Sequence, residues 1–345
     1  MTSKSQLVNA SCLDGLEVLR EHDMVFLATP AHDIFADHSY GNGELVEGQN
    51  DANANDESKE TRSSKEFVSW WSNKVGFDDD GFVVSLDLGG RRLHKGLPFG
   101  ADLFGPRKFP RLQTLSLAGT DLPLKDILAV LPHIESTIEC LYLGGNGLGA
   151  RGAEAIAASG LFRWSSDGSD DGSKLVKLDL RYNDIGGSGM TAICKAVMET
   201  TNSNIRYLYL EGNGIGDDGC AALAGLLSAR PQSDEESTTS TGGSRIEEVY
   251  LGANRIGPPG AASIAAVLRT NKTVSKIYLE GNSLGAKGAT SFCEMLEELK
   301  GDTGLKHLYV DNNNIGKELS NRLAKALRSD TAIRDVGAGT TAHDS

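Results

Sequence analysis

Apolar and polar positions along most of this chain fall into one short pattern that returns again and again. Six stretches carry it in full: LYLGGNGLG (141–149), LDLRYNDIG (178–186), LYLEGNGIG (208–216), VYLGANRIG (249–257), IYLEGNSLG (277–285) and LYVDNNNIG (308–316). Aliphatic residues alternate over an L-x-x-L-x-L core, the period-two signature of a strand with one face buried. Past the turn N-x-[IL]-G the rhythm shifts to helical spacing, as in Ala221, Leu223, Ala224 and Leu227, which predicts a helix. Two weaker copies come first, LDLGGRRLH (86–94) and LSLAGTDLP (115–123). LRSDTAIRDV (327–336) aligns with LRTNKTVSKI (268–277), predicting a last strand that closes the series. The asparagines at 146, 183, 213, 254, 282 and 313 are spaced by 37, 30, 41, 28 and 31 residues, so a unit of about 28 residues repeats, with extra length in two places.

The extra length has a composition of its own. SGLFRWSSDGSDDGSK (159–174) and SARPQSDEESTTSTGGSR (228–245) are polar tracts between a helical end and the next strand, and both read as loop insertions. The asparagine answers a physical need. A sharp turn inside a stack leaves backbone donors and acceptors unpaired, and a buried side-chain amide satisfies both kinds. Gly149, Gly186, Gly216, Gly257, Gly285 and Gly316 follow it in every full copy, as a backbone conformation that a Cβ opposes requires.

These units resemble leucine-rich repeats of the ribonuclease-inhibitor type, the helical subclass also found in nucleotide-binding leucine-rich-repeat receptors and in the Ran GTPase-activating proteins. The first copy, VVSLDLGGRRLHKGLP, is closer to the plant-receptor type. The resemblance covers about residues 82 to 336 and implies an α/β solenoid, a horseshoe with a concave parallel β-sheet and convex helices. The domain expected is 83–336. Before it, residues 66–82 (EFVSWWSNKVGFDDDGF) put Phe67, Val68, Trp70 and Trp71 where an open solenoid end needs a cap. Residues 337–345 form a tail.

Residues 1–65 differ in charge. They hold five basic and twelve acidic side chains, a net of −7, about half of the −13 carried by all 345 residues. VFLATPAHDIFADH (25–38) has the composition of a strand and a turn, and GELVEGQNDANANDESKE (43–60) that of a disordered acidic linker. The overall charge opposes binding to nucleic acid or anionic lipid. Cys12, Cys140, Cys194, Cys220 and Cys293 are odd in number and lack a C-x-x-C pair, which argues against a disulfide framework or a zinc site. The first residues carry charges too early for a signal sequence. A monomer in the cytoplasm, or the nucleus, is expected.

One segment imitates a nucleotide site. GNGIGDDG contains G-x-G-x-x-G at Gly214, Gly216 and Gly219, after a strand and before a helix. The other copies supply the comparison: the column of Gly214 holds Gly147, Asp184, Arg255, Ser283 and Asn314, so its first glycine is exchanged for bulky and charged residues. The segment reads as a repeat turn. DANAND (51–56) starts like a calcium loop but has Asp56 and Arg62 where glycine and glutamate belong, and DDDG (78–81) reads as an exposed turn. The seven histidines form no H-x-x-x-H pair, and His32 beside Asp33 is no dyad by adjacency alone. No cofactor, metal or catalytic residue is expected.

The feature that points to function is aromatic. The residue between the two inward leucines of L-x-L faces the concave side, and that column reads Asp87, Ser116, Tyr142, Asp179, Tyr209, Tyr250, Tyr278 and Tyr309, with five of the eight tyrosines. Tyr207 lies in the column before it, and Arg181, Glu211, Glu280 and Asp311 in the column after it. Tyrosine offers a rigid contact surface and a hydroxyl, as at binding hot spots; equally, such rings stack to stabilise adjacent strands. The two roles are compatible. The residues favour a non-enzymatic scaffold that binds a protein partner, with a basic or apolar segment, through Tyr142, Asp179, Arg181, Tyr207, Tyr209, Glu211, Tyr250, Tyr278, Glu280, Tyr309 and Asp311. The resemblance also implies two alternatives, a GTPase-activating protein similar to the Ran activators and, less well matched, a ribonuclease inhibitor. Neither has a motif here that carries its functional residues over.

Overall fold

The computed structural model describes residues 74–98, 100–162, 173–200, 203–228, 244–300, 302–329 and 335–337. Ten strands form one sheet in sequence order: β1 (Val75–Phe77), β2 (Val83–Asp87), β3 (Thr114–Ser116), β4 (Cys140–Tyr142), β5 (Lys177–Asp179), β6 (Tyr207–Tyr209), β7 (Glu248–Tyr250), β8 (Lys276–Tyr278), β9 (His307–Tyr309) and β10 (Asp335–Gly337). β1 pairs antiparallel with β2, and every later pair is parallel. Parallel neighbours need a crossover, and helices supply it. These are α1 (Leu124–Ile134), α2 (Gly149–Ala158), α3 (Gly186–Met198), α4 (Gly216–Ser228), α5 (Pro258–Leu268), α6 (Gly285–Leu299) and α7 (Lys317–Ser329). The result is an open α/β solenoid, with the sheet concave and the helices convex.

Most strands are three residues long, yet the pairing between repeats continues into the turn. From β5 to β6, Leu180 N donates to Tyr209 O at 2.9 Å, Tyr182 N to Glu211 O at 2.8 Å and Gly186 N to Asn213 O at 3.0 Å, the last at the first residue of α3. The asparagines hold this turn. Asn213 is fully buried; its Nδ2 donates to Leu180 O of the preceding repeat at 2.8 Å and to Leu210 O of its own at 2.9 Å. Its Oδ1 accepts from Asn183 N at 3.0 Å and Ile185 N at 3.4 Å. Asn183, Asn254 and Asn282 repeat the arrangement, each receiving the backbone amides of the repeat before it. In the degenerate third strand's repeat, buried Thr120 stands in the column, donating its hydroxyl to Leu117 O at 2.9 Å while Asn146 Oδ1 accepts its N–H.

Five of the six turn glycines have left-handed φ, from 58° to 78°. Gly257 is the exception, with φ −97°. Pro258 follows it and drives the preceding residue toward extended backbone. The Gly257 N–H then donates to Asp217 Oδ1 at 2.7 Å, as does Gly260 N at 2.8 Å, so an aspartate of α4 caps the N-terminus of α5. The second glycine of each G-x-x-G has a separate cause. A Cβ at Gly189 would lie 2.8 Å from Ala153 Cβ, and one at Gly288 2.9 Å from Ala261 Cβ, because neighbouring helices touch there. Gly219, last of the apparent fingerprint, belongs to this contact, and a Cβ on it would collide with Ile215.

The helical reading of α4 needs a correction. Ala221 is exposed; Cys220, Leu223, Ala224, Leu226 and Leu227 are buried, since the stripe facing the sheet runs 220, 223, 224 and 227, one residue out of phase with Ala221. Leu161 and Phe162, inside the tract read as loop from 159, form a short 3-10 turn and are buried. Residues 163–172 and 229–243 of the insertions, the DANAND tract, the aromatics at 67–71 and His32 lie outside the described residues. Asp78 of DDDG makes a turn, accepting from Phe82 N at 2.9 Å, and Arg111 pairs with Asp78 and Asp80 at 2.7 Å each.

Asn213→Ala strands two buried amides, Asn183 N and Ile185 N, and takes one of two donors from Leu180 O and Leu210 O, which keep their bonds from Asn183 Nδ2 and Asn254 Nδ2. It should cost about 4 kcal/mol in urea unfolding, and Asn213→Thr, which copies Thr120, about half of that. A loss below about 1 kcal/mol for the alanine variant would contradict the ladder's role.

Candidate functional site

Strand register sets Asp87, Ser116, Tyr142, Asp179, Tyr209, Tyr250, Tyr278 and Tyr309 side by side. Neighbouring strands are spaced by about 4.8 Å, close to the stacking distance of two rings, so a tyrosine column stacks. The centroids of Tyr209 and Tyr250 are 4.4 Å apart, those of Tyr250 and Tyr278 4.3 Å, and those of Tyr278 and Tyr309 4.6 Å, with interplanar angles of 11°, 9° and 8°. The faces of the inner rings cover each other, leaving edges and hydroxyls toward the concave side. Tyr250 is only 4% exposed, so the rings are less accessible than their small neighbours in sequence suggest.

The Tyr250 hydroxyl donates to Glu248 Oε2 at 2.7 Å and is hydrogen-bonded to both neighbouring tyrosines. Glu248, outside the candidate set, is held in turn by Lys276 Nζ at 2.9 Å. Its signal in sequence is its place two residues before Tyr250, on the same strand face. Burial first, then the glutamate, pushes the Tyr250 phenol far up; burial raises Tyr209 to about 12.

Asp179 interrupts the column between Tyr142 and Tyr209. It is 1% exposed and forms a forked pair with Arg181, Nε to Oδ1 at 3.0 Å and Nη2 to Oδ2 at 2.7 Å. The guanidinium also lies 5.3 Å from the centre of the Tyr209 ring, capping the stack with a cation. Two candidate contact residues thus already engage each other. Tyr142, also buried, is cut off from the other rings by Asp179. Tyr207 faces Lys177, whose Nζ is 5.4 Å from its ring centre.

The column toward the turn brings Glu211 and Glu280 together over Gly252. A Cβ at Gly252 would lie 3.5 Å from Glu211 Cγ and 4.0 Å from Glu280 Oε2, so the missing side chain is the space that both carboxyls use. Glu211 Oε2 is buried with no hydrogen-bond partner. Burial raises both to about 7; the charges of Asp179 and Glu280 add to it at Glu211, and that of Asp311 at Glu280. Among the described residues, no three His, Cys, Asp or Glu side chains are grouped so as to hold a metal ion. The groups on view hydrogen-bond and attract cations; among them no nucleophile is set against a base.

Because the folded Glu211 carboxyl sits at about 7 against an ordinary 4.5, folding favours its neutral form. That contribution is complete below the lower value and lost as pH rises through the upper one. From about pH 5 to about pH 8 the protein should lose about 1–2 kcal/mol that Glu211→Gln retains, in paired urea titrations. Parallel pH profiles for the two would contradict the burial.

A family profile described as "Leucine Rich repeat" matches residues 136–157, 173–194 and 201–224. A search of the curated proteins finds no match. Among solved structures, one titled "Leiomodin-1 Actin-Binding Site 2 (ABS2)" is similar at 19% identity over 44% of this chain and 77% of that one, with a TM-score of 0.31. The profile falls on consecutive strand–turn–helix units of a sheet whose register repeats from β2 to β10, so these units are leucine-rich repeats in an open α/β solenoid.

Proposed function

We propose that the protein is a non-enzymatic interaction scaffold of the ribonuclease-inhibitor type, binding a protein partner across the concave face. The observation that carries this is the four-ring stack. Stacking and the asparagine ladder fix the rings before any partner arrives, so little rotamer entropy remains to be lost on binding. Partners meet tyrosine edges and hydroxyls bordered by Glu248, Glu280 and Asp311, a surface suited to a segment with basic and apolar side chains. Helices of 10 to 15 residues following β4 to β9 support the subtype. The buried thiols of Cys194, Cys220 and Cys293 accord with a reducing compartment, cytoplasmic or nuclear.

Replacing tyrosines would damage the stack itself, so the test alters charge. Full-length wild type, Glu280→Gln/Asp311→Lys, and a convex-side control, Lys195→Glu, are used to capture partners from extract of the native cell, with quantitative mass spectrometry. The double variant should lose its partners by about tenfold or more while the control keeps them. A folded double variant that retains every partner would sink the concave-face reading.

A further inference from the structure

The protein is strongly acidic, yet one part of its rim is not. Where the chain enters β6, β7, β8 and β9, a groove of about 480 Å³ is lined by Arg206, Arg245, Lys272 and Lys306, with Glu247 as the one carboxylate in its wall among the described residues. Each of these four repeats contributes one cation, and all four are exposed. The walls between them carry the hydroxyls of Thr273, Ser275 and Thr303. Gly304 packs so closely on the backbone of Lys272 that a Cβ would collide with it, which holds two of the loops in register.

We propose that this groove is a second binding site, for an extended, carboxylate-rich peptide segment of a protein partner. Three observations choose that occupant. First, the cations stand one on each of four successive repeats, side by side along the rim. At about 4.8 Å between strands the row extends about 14 Å, the length of four to five extended residues at about 3.3 Å each. Second, the existing partners are weakly committed. Arg206 Nη1 meets Glu247 at 2.9 Å, and Lys272 Nζ meets the carboxylate of Asp302 at 3.0 Å as well as its backbone oxygen, with that aspartate side chain 84% exposed. Arg245 Nη1 only donates to the Asn204 side-chain carbonyl at 3.1 Å, and Lys306 has no ion-pair partner among the described residues. Third, arginine forks suit carboxylates, and of the flanking hydroxyls that of Thr303, which accepts from Leu305 N at 3.1 Å, keeps its proton to donate, while those of Thr273 and Ser275 already donate to Asn271 Oδ1 and Glu247 O. The site is separate from the carboxyl-bordered turn side of the sheet, so it does not rest on the concave-face reading.

The test uses purified full-length protein and a defined probe, fluorescein-labelled hexaglutamate, with hexaglutamine as control, in fluorescence anisotropy at low ionic strength. Hexaglutamate should bind, weaken steadily as salt is raised, and bind about tenfold or more weakly to Lys272→Glu/Lys306→Glu. Lys195→Glu, on the far side, should match wild type. Both altered lysines are exposed, and circular dichroism verifies that the variant is folded. Absence of hexaglutamate binding to wild type, equal binding to the double variant, or displacement by inorganic phosphate at matched ionic strength would each overturn the proposal, the last by reducing the groove to a small-anion pocket.

Discussion

A chain that folds back every thirty residues or so must turn sharply inside its own core, where water is absent and each unpaired N–H or C=O costs about 1–3 kcal/mol. The asparagine column resolves this at every repeat, and the rest of the molecule follows from it. With Asn183, Asn213, Asn254 and Asn282 linked through each other's backbone amides, the repeats are locked in register to within a hydrogen bond. A fixed register is what makes a column of residues in sequence a row of neighbours in space. Without it, the tyrosines would be scattered aromatic residues.

The row shows how one geometry serves two ends. Strand spacing and ring-stacking distance nearly coincide, so tyrosine after tyrosine stabilises the sheet while its hydroxyl edge faces outward, each stacked pair contributing about 0.5–1.5 kcal/mol beyond burial. Asp179 is the break in the row, and Arg181 compensates by pairing with it and covering Tyr209. Beside the row, Gly252 leaves a gap into which two carboxyls lean, at the cost of holding them close to neutrality.

Much of this is legible in the sequence, because repetition supplies its own controls. Six copies side by side show the strand register, the asparagine ladder and the tyrosine column, and reveal the apparent dinucleotide fingerprint as a turn. What stays hidden depends on contacts between repeats. That Gly252 shelters two acids, and that Gly189 and Gly288 permit helix contact, require knowing which side chains meet across the stack. Ala221 misleads because one step on a helix is 100°, and an alanine is apolar enough to pass on either face. The basic groove escapes for a further reason: Arg206 and Lys306 share a column, but Arg245 and Lys272 come from loops of unequal length, so no alignment brings the four together.

The ladder also has a direction. Each asparagine turns back to serve the repeat before it: Asn282 Oδ1 accepts the amides of Asn254 and Ile256, and its Nδ2 reaches Leu251 O. A repeat is therefore finished only by its successor. The last unit of any stack carries open donors, and each further unit seals the one before it. Removing a repeat from the C-terminal end reopens the one behind it, whereas removing one from the other end leaves the remaining turns with their amides still bound.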